Sequence, residues 1–242
     1  MSIPTFLINL ASRPDRLAFA KEEARAIGMD LRVVEAVAAS SIDPDEAMIT
    51  GQTPGRIACW RSHTIAWKRA LEEGRDFCLI LEDDVRWLRN PMSFLARFDE
   101  LSTETLDLLQ LGSLQRGPLT TPLRAQVAHR LSKSVRIARR IHPGAGALER
   151  WLGNYSQLVA RELELVDSRE RIGERIIWGT FGSGTHAYIV NKRLIPHLLR
   201  YNNPTFLAAD DALSVLAGQE TFRVGELEYA LATQAPFPSD LR

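Results

Sequence analysis

Three consecutive carboxylates, Glu82-Asp83-Asp84, directly follow five apolar residues, Phe77-Cys78-Leu79-Ile80-Leu81. An apolar run of that length reads as a central strand buried on both faces. The acids then stand at its carboxyl end, where open α/β sheets bind their ligands. Adjacent carboxylates repel one another and are costly beside a core unless a cation or several donors neutralise them. Mg²⁺ or Mn²⁺ suits such a place, taking one or two carboxylate oxygens and filling its other positions with water and diphosphate oxygens. The same acids can instead cap a following helix or pair with Arg86 and Arg89, and the cluster by itself does not choose.

The surrounding pattern supplies the elements that would position this cluster. Phe6 to Leu10 reads as a buried strand, Leu17 to Ile27 as a helix closed by Gly28, and Leu31 to Val37 as a second strand, a βαβ opening. Residues 40–55 carry Pro44, Gly51 and Pro54 and read as loop with one helical turn. A helix over Ile57 to Glu73 ends at Gly74. Further strands are expected at Asp107 to Leu111 and His186 to Val190, with helices over Asn191 to Arg200 and Asp210 to Ala217. Residues 114–180 lose this rhythm and read as an insertion within a single 1–242 domain.

The bulk composition excludes several classes. The 242 residues are 45% hydrophobic and 25% charged, with 30 basic and 30 acidic side chains, so no global field draws the chain to nucleic acid. Cys59 and Cys78 have no metal-type spacing and read as reduced thiols. The amino terminus lacks the basic leader of a signal peptide, and no run approaches the ~20 apolar residues of a membrane span. A soluble cytoplasmic protein is expected. Between Arg124 and Arg150, seven Lys or Arg residues face one acid, Glu149. Val127, Leu131, Val135, Ala138 and Ile141 recur there at helical spacing, a pattern shared by membrane-surface helices and by solvated helices packed on a protein body. The first reading predicts peripheral contact with an anionic membrane leaflet.

Three further segments accompany the acidic cluster in order: Ile8-Asn9-Leu10-Ala11-Ser12-Arg13-Pro14-Asp15-Arg16, Ala58-Cys59-Trp60-Arg61-Ser62-His63 with Trp67 and Ala70-Leu71, and Gly184-Thr185-His186-Ala187-Tyr188-Ile189. Together with Leu79 to Val85 they resemble glycosyltransferase family 25, the lipooligosaccharide and collagen galactosyltransferase relatives. The resemblance covers residues 3–113 well and 180–242 more loosely. It implies an α/β fold of GT-A (Rossmann-like) type, with a mostly parallel central sheet flanked by helices. It also implies a UDP-sugar donor, usually UDP-galactose, a divalent metal, inversion at the anomeric carbon, and a glycan or glycolipid acceptor.

Carried onto this sequence, the resemblance makes Asp84 and Glu82 the metal ligands, with Asp83 beside them. Asn9, Arg13 and Arg16 fall where the fold places the nucleotide; an arginine fork suits phosphate and an asparagine suits a base edge or ribose hydroxyl. The alternative is that Arg13 and Arg16 pair with Asp15 or Glu22. Ser62 and His63 are expected to contact the donor site, and Thr185 and Tyr188 to line or support the acceptor side. His186 is a further candidate ligand. An inverting transfer needs a general base, and Asp210, three residues before Leu213, is the first choice with Asp211 second. Plain helix capping is the alternative for this pair. Ala208-Ala209 depart from the family's usual Pro and branched apolar residue before that Asp. Rival functions are a metal-dependent phosphohydrolase and a degenerate nucleotide-sugar-binding module.

Overall fold

A computed structural model describes residues 3–96, 98, 106–113, 176–219, 221–228 and 230–237. These belong to one compact unit built from 1–114 and 175–242. The basic stretch 124–150, and all but the last residues of the expected insertion, lie outside the described residues.

The chain opens as β1 (Thr5–Asn9), α1 (Pro14–Ala26) and β2 (Arg32–Glu35), and β1 pairs in parallel with both β2 and β3 (Phe77–Glu82). Helix α1 begins three residues before the expected start because Pro14 occupies its first turn, where a missing N–H costs nothing. Between the second and third strands, Asp43 caps α2 (Pro44–Thr50) by accepting from the Asp45 N–H at 2.9 Å, and Gly51 ends it at φ 67°. Thr53 and Pro54 then start α3 (Pro54–Glu72). These punctuators, read from sequence as loop, are the ends of two helices.

The main sheet has seven strands in the order β2-β1-β3-β7-β5-β8-β6, where β5 is Leu108–Gln110, β6 Ile176–Trp178, β7 Ala187–Asn191 and β8 Val224–Leu227. Strands β2, β1, β3, β5 and β8 run one way, while β7 and β6 run the other. The sheet is therefore mixed, with the antiparallel β7 wedged between β3 and β5. A separate two-stranded sheet pairs β4 (Val85–Trp87) with β9 (Ala232–Gln234). Helices α4 (Met92–Ala96), α5 (Ile195–Tyr201) and α6 (Ala209–Ala217) complete the described unit.

Side chains alternate across the sheet as the pleat requires. Phe6, Ile8, Cys78, Ile80, Tyr188 and Val190 face a core completed by Trp60 and Trp67 of α3, Leu198 of α5 and Leu213 of α6. Leu7, Leu79, Leu81, Ala187 and Ile189 face the opposite core, with Ala20 of α1 and Phe94 and Leu95 of α4. One strand face thus fixes α3 against the sheet and the other fixes α1, so the two helices flank the carboxyl ends of β1 and β3. The small sheet is held there by a close backbone approach. A Cβ on Gly112 would lie 1.9 Å from the Ala232 carbonyl oxygen, so only glycine lets β9 approach the end of β5.

Candidate functional site

At the carboxyl ends of β1, β2 and β3 the structure brings together Asn9, Arg16, Ser62, His63, Glu82, Asp83, Asp84 and Gln234. All of them but Asn9 line a cavity of about 110 Å³, together with Cys59, Val37 and Gly55. The strand order explains the crevice, because β1 and β2 are parallel neighbours and the chain after them leads to helices on opposite faces, α1 after β1 and α3 after β2.

Each acid has its own partners. The Asp83 carboxylate accepts from Asn9 Nδ2 at 2.7 Å and pairs with Arg16 Nε at 2.8 Å. Asp84 accepts from Gln234 Nε2 at 2.6 Å and pairs with the Arg16 guanidinium. Both aspartates and Arg16 are buried. Glu82, partly open to the cavity, accepts from Thr185 Oγ1 and meets His63 Nε2 at 3.2 Å. Asn9 also donates to the Arg13 carbonyl at 3.1 Å, which ties the loop after β1 to the cluster. Neutralisation of the trio thus comes in part from the protein, through Arg16, Asn9, Gln234, Thr185 and His63.

The direction of the hydrogen bonds behind Glu82 follows from donor chemistry. An indole N–H only donates, so Trp67 Nε1 gives its proton to Tyr188 Oη at 2.9 Å. The Tyr188 hydroxyl is then free to donate to His63 Nδ1, 2.9 Å away, leaving the Nε2–H to face Glu82. Trp67 and Tyr188 are fully buried, and a buried aromatic with a polar tip needs such a partner. Burial works against charge on Glu82, yet the hydrogen bonds from His63 and Thr185 outweigh it and hold the carboxyl down at about 2.

Asp84 goes the other way. Burial first, and the neighbouring charges of Glu82 and Asp83, outweigh Gln234 and Arg16 and push its carboxyl up to about 7. Arg16 is shared with Asp83, which burial also raises, so one guanidinium serves two carboxylates. Asp84 Oδ1 is buried with no hydrogen-bond partner. Asp84 lines the cavity beside Glu82, and an orphaned carboxylate oxygen next to a second carboxylate offers the hard oxygen donors that suit a divalent cation such as Mg²⁺ or Mn²⁺.

The remaining candidates separate. Arg13 pairs with exposed Asp15 at 2.9 Å and lies 6.0 Å over the Phe237 ring, whereas Arg16 pairs with Asp83 and Asp84 of the acidic cluster. Ser62 lines the cavity, but its hydroxyl donates to the Ala58 carbonyl at 2.7 Å and accepts from the Val37 N–H at 2.9 Å, joining α3 to the exit of β2. His186 is buried, and burial lowers its basicity despite the charge of Glu82. Cys59 remains a neutral thiol, pushed well up by burial and by Glu82, Asp210 and Asp84.

Helix α6 starts at Ala209 with Ala208 as its cap residue and no side-chain cap, so Asp210 and Asp211 sit in its first turn and do not cap it. Asp211 is exposed. Asp210 Oδ2 accepts from the Gly184 N–H at 3.1 Å, and Gly184 adopts φ 91°, a conformation that favours glycine. The next residue, Thr185, holds Glu82, so a single turn links Asp210 to the acidic cluster.

The sequence profile described as glycosyltransferase family 25 (LPS biosynthesis protein) matches residues 2–213. The chain belongs to glycosyltransferase family 25. The match spans the acidic cluster, the α3 segment, the Gly184–Tyr188 turn and strand, and Asp210. No curated protein matches the chain closely enough to count as a relative. This family 25 protein is therefore a glycosyltransferase, which requires a sugar donor and an acceptor. Among its described residues no helix is long and apolar enough to cross a membrane.

Gln234 was invisible to sequence reasoning, because it reaches Asp84 from 150 positions away through a three-residue strand. Trp67 carried one usable signal: a buried tryptophan must satisfy its N–H.

The pH dependence of stability follows from Asp84. Its folded value near 7 stands above the ordinary 3.8, so the group favours folding when protonated, and that contribution is lost as pH rises through 7. Without divalent metal, Asp84→Asn, which mimics the protonated acid, is expected to melt higher than wild type at pH 8, with the gap closing toward pH 4. Thermal melts across that range check this; a gap independent of pH contradicts it.

Proposed function

We propose that this protein transfers a hexose, galactose in the first instance, from a UDP-sugar to a hydroxyl of a glycan or glycolipid acceptor such as lipooligosaccharide, with inversion and with Mn²⁺ or Mg²⁺. The observation that carries the reading is Asp84: a carboxylate with one unpartnered oxygen, raised by burial and then by two neighbouring acids, lining a cavity at the ends of parallel strands. Asp84 and Glu82 are the residues that would hold the cation. Bound there, it supplies charge stabilisation for the departing diphosphate.

The chain's own residues have separate tasks in this reading. Arg16 keeps Asp83 and Asp84 in place, Asn9 holds Asp83, and Asp84 Oδ1 is left without a protein partner. The Trp67, Tyr188 and His63 chain fixes the orientation of Glu82, so that its charge does not have to reorganise as the reaction proceeds. Arg13, at the mouth of the loop after β1, is available to the donor's nucleotide or phosphates by exchanging its exposed partner Asp15. Ser62 shapes the donor cavity through its two backbone bonds. Asp210 takes the acceptor hydroxyl proton as the acceptor oxygen bonds to the anomeric carbon. The bond from that carbon to the donor phosphate breaks on the opposite side, and its electron pair leaves with UDP. The tie from Asp210 to Gly184, beside Thr185 and the acidic cluster, supports the choice of Asp210 over the exposed Asp211.

Transfer assays with UDP-galactose and Mn²⁺ test the assignment. Asp84→Ala is expected to abolish turnover. Wild-type turnover in this variant would remove the metal assignment. Asp210→Asn keeps the size and one acceptor oxygen for the Gly184 N–H but accepts no proton, so kcat and kcat/KM should fall together by about two or more orders of magnitude while UDP affinity is kept. Asp211→Asn should be nearly silent. The reverse pattern moves the base to Asp211, and two active variants exclude this helix from catalysis.

A further inference from the structure

Behind the oxygen-rich rim of the cavity lies a donor set of different chemistry. Cys59 and His63 are four residues apart on α3 and so share one face of the helix. Across from them stands Glu82 at the end of β3. A sulfur, a ring nitrogen and a carboxylate oxygen from these three residues all lie within 4.8 Å of one another. The exit loops and α6 add further negative charge, since Asp84 and Asp210 both act on the Cys59 thiol.

We propose that Cys59, His63 and Glu82 form a site for a thiophilic divalent cation such as Zn²⁺, distinct in its ligands from the carboxylate site on Asp84 but sharing Glu82 with it. Tetrahedral zinc binds nitrogen and oxygen at ~2.0–2.1 Å, which places two such ligand atoms roughly 3.3 Å apart. His63 Nε2 and Glu82 Oε1 are 3.2 Å apart already. The Cys59 sulfur lies within 4.8 Å of both, within reach of the same ion, and a fourth position remains for water from the cavity that Cys59, His63 and Glu82 line.

The outer shell suits this role as well. A metal-bound histidine donates its second ring N–H to an oxygen. Tyr188 Oη, 2.9 Å from Nδ1 and anchored by Trp67, becomes that oxygen once its own O–H, which faces Nδ1 in the metal-free protein, rotates away so that both lone pairs accept. On binding, His63 changes from its Nε2–H to its Nδ1–H tautomer with no net proton change, and the Cys59 thiol gives its proton to solvent and binds as thiolate. Because Glu82 is common to both sites, occupation by a soft ion withdraws a ligand from the hard one. The inference concerns ligand chemistry alone and stands whether or not sugar transfer is the reaction.

Cobalt(II) gives a direct readout on the whole, reduced, metal-free protein. Tetrahedral cobalt with a thiolate ligand shows intense visible bands and a near-ultraviolet sulfur-to-metal band, whereas cobalt bound only by carboxylates and water is octahedral and absorbs weakly. One equivalent of Co²⁺ is expected to produce both intense features, and Zn²⁺ is expected to bleach them. The chain has two cysteines, so Cys78→Ser should keep the sulfur band and Cys59→Ser should lose it. Cobalt affinity at this site should fall by about 100-fold or more, because even an outer-shell partner is worth 10–100-fold. A wild-type spectrum with only weak octahedral bands overturns the proposal, whatever the variants do. So does a sulfur band that survives in Cys59→Ser.

Discussion

One buried guanidinium holds the acidic crevice together. Arg16 reaches from the first turn of α1 to Asp83 and Asp84 at once, and all three side chains are buried. Taking one cation and two anions out of water costs several kcal/mol per ion, and only close geometry with further hydrogen bonds offsets it. Asn9 and Gln234 supply those bonds to the carboxylates. The arithmetic of charge still leaves an excess, since one positive group faces two acids with Glu82 beside them. Burial first, and that excess second, raise the Asp84 carboxyl, one of whose oxygens has no partner. A cluster built only for stability would have no reason to keep it, because a buried carboxylate without full partners is costly.

The fold exists around this cluster in a specific way. The parallel pair β1 and β3 brings Asn9 beside Glu82 and the two aspartates, α1 presents Arg16 from one face, and α3 presents His63 from the other. The antiparallel β7 then delivers Tyr188 to His63, and the segment leading into it delivers Thr185 to Glu82. Glu82 and Asp84, two residues apart, consequently sit in opposite electrostatic settings: one is held ionised by donors, the other is discouraged from ionising by burial. Such divergence between neighbouring carboxylates is common where chemistry or ion binding is done.

Much of this frame was legible in the sequence. The apolar run at Phe77 to Leu81 announced a central strand with acids at its end, and Gly28 and Gly74 marked the ends of the first and third helices. The rest was hidden for identifiable reasons. Strands β4, β8 and β9 are three or four residues long, too short for a periodic signal, and β4 pairs with β9 across about 150 positions of chain. The reversal of β7 depends on a connection through residues whose pattern gives no direction. Pro44 and Pro54 read as loop formers although each opens a helix. At the site, residue types were readable but partnerships were not. The sequence offered Asp15 or Glu22 for Arg16, and the fold chose Asp83 and Asp84. Capping was an equal alternative for Asp210 until the position of Gly184 showed what its carboxylate holds.

The central claim is that the acidic crevice is incomplete without a divalent cation brought together with a nucleoside diphosphate. Calorimetric titration of UDP into the metal-free protein, with and without Mn²⁺, addresses it most directly. The account predicts measurable UDP binding only when Mn²⁺ is present, and loss of that metal dependence in Asp84→Asn. Equal UDP affinity in Mn²⁺ and in a chelator, with wild-type protein, would contradict it.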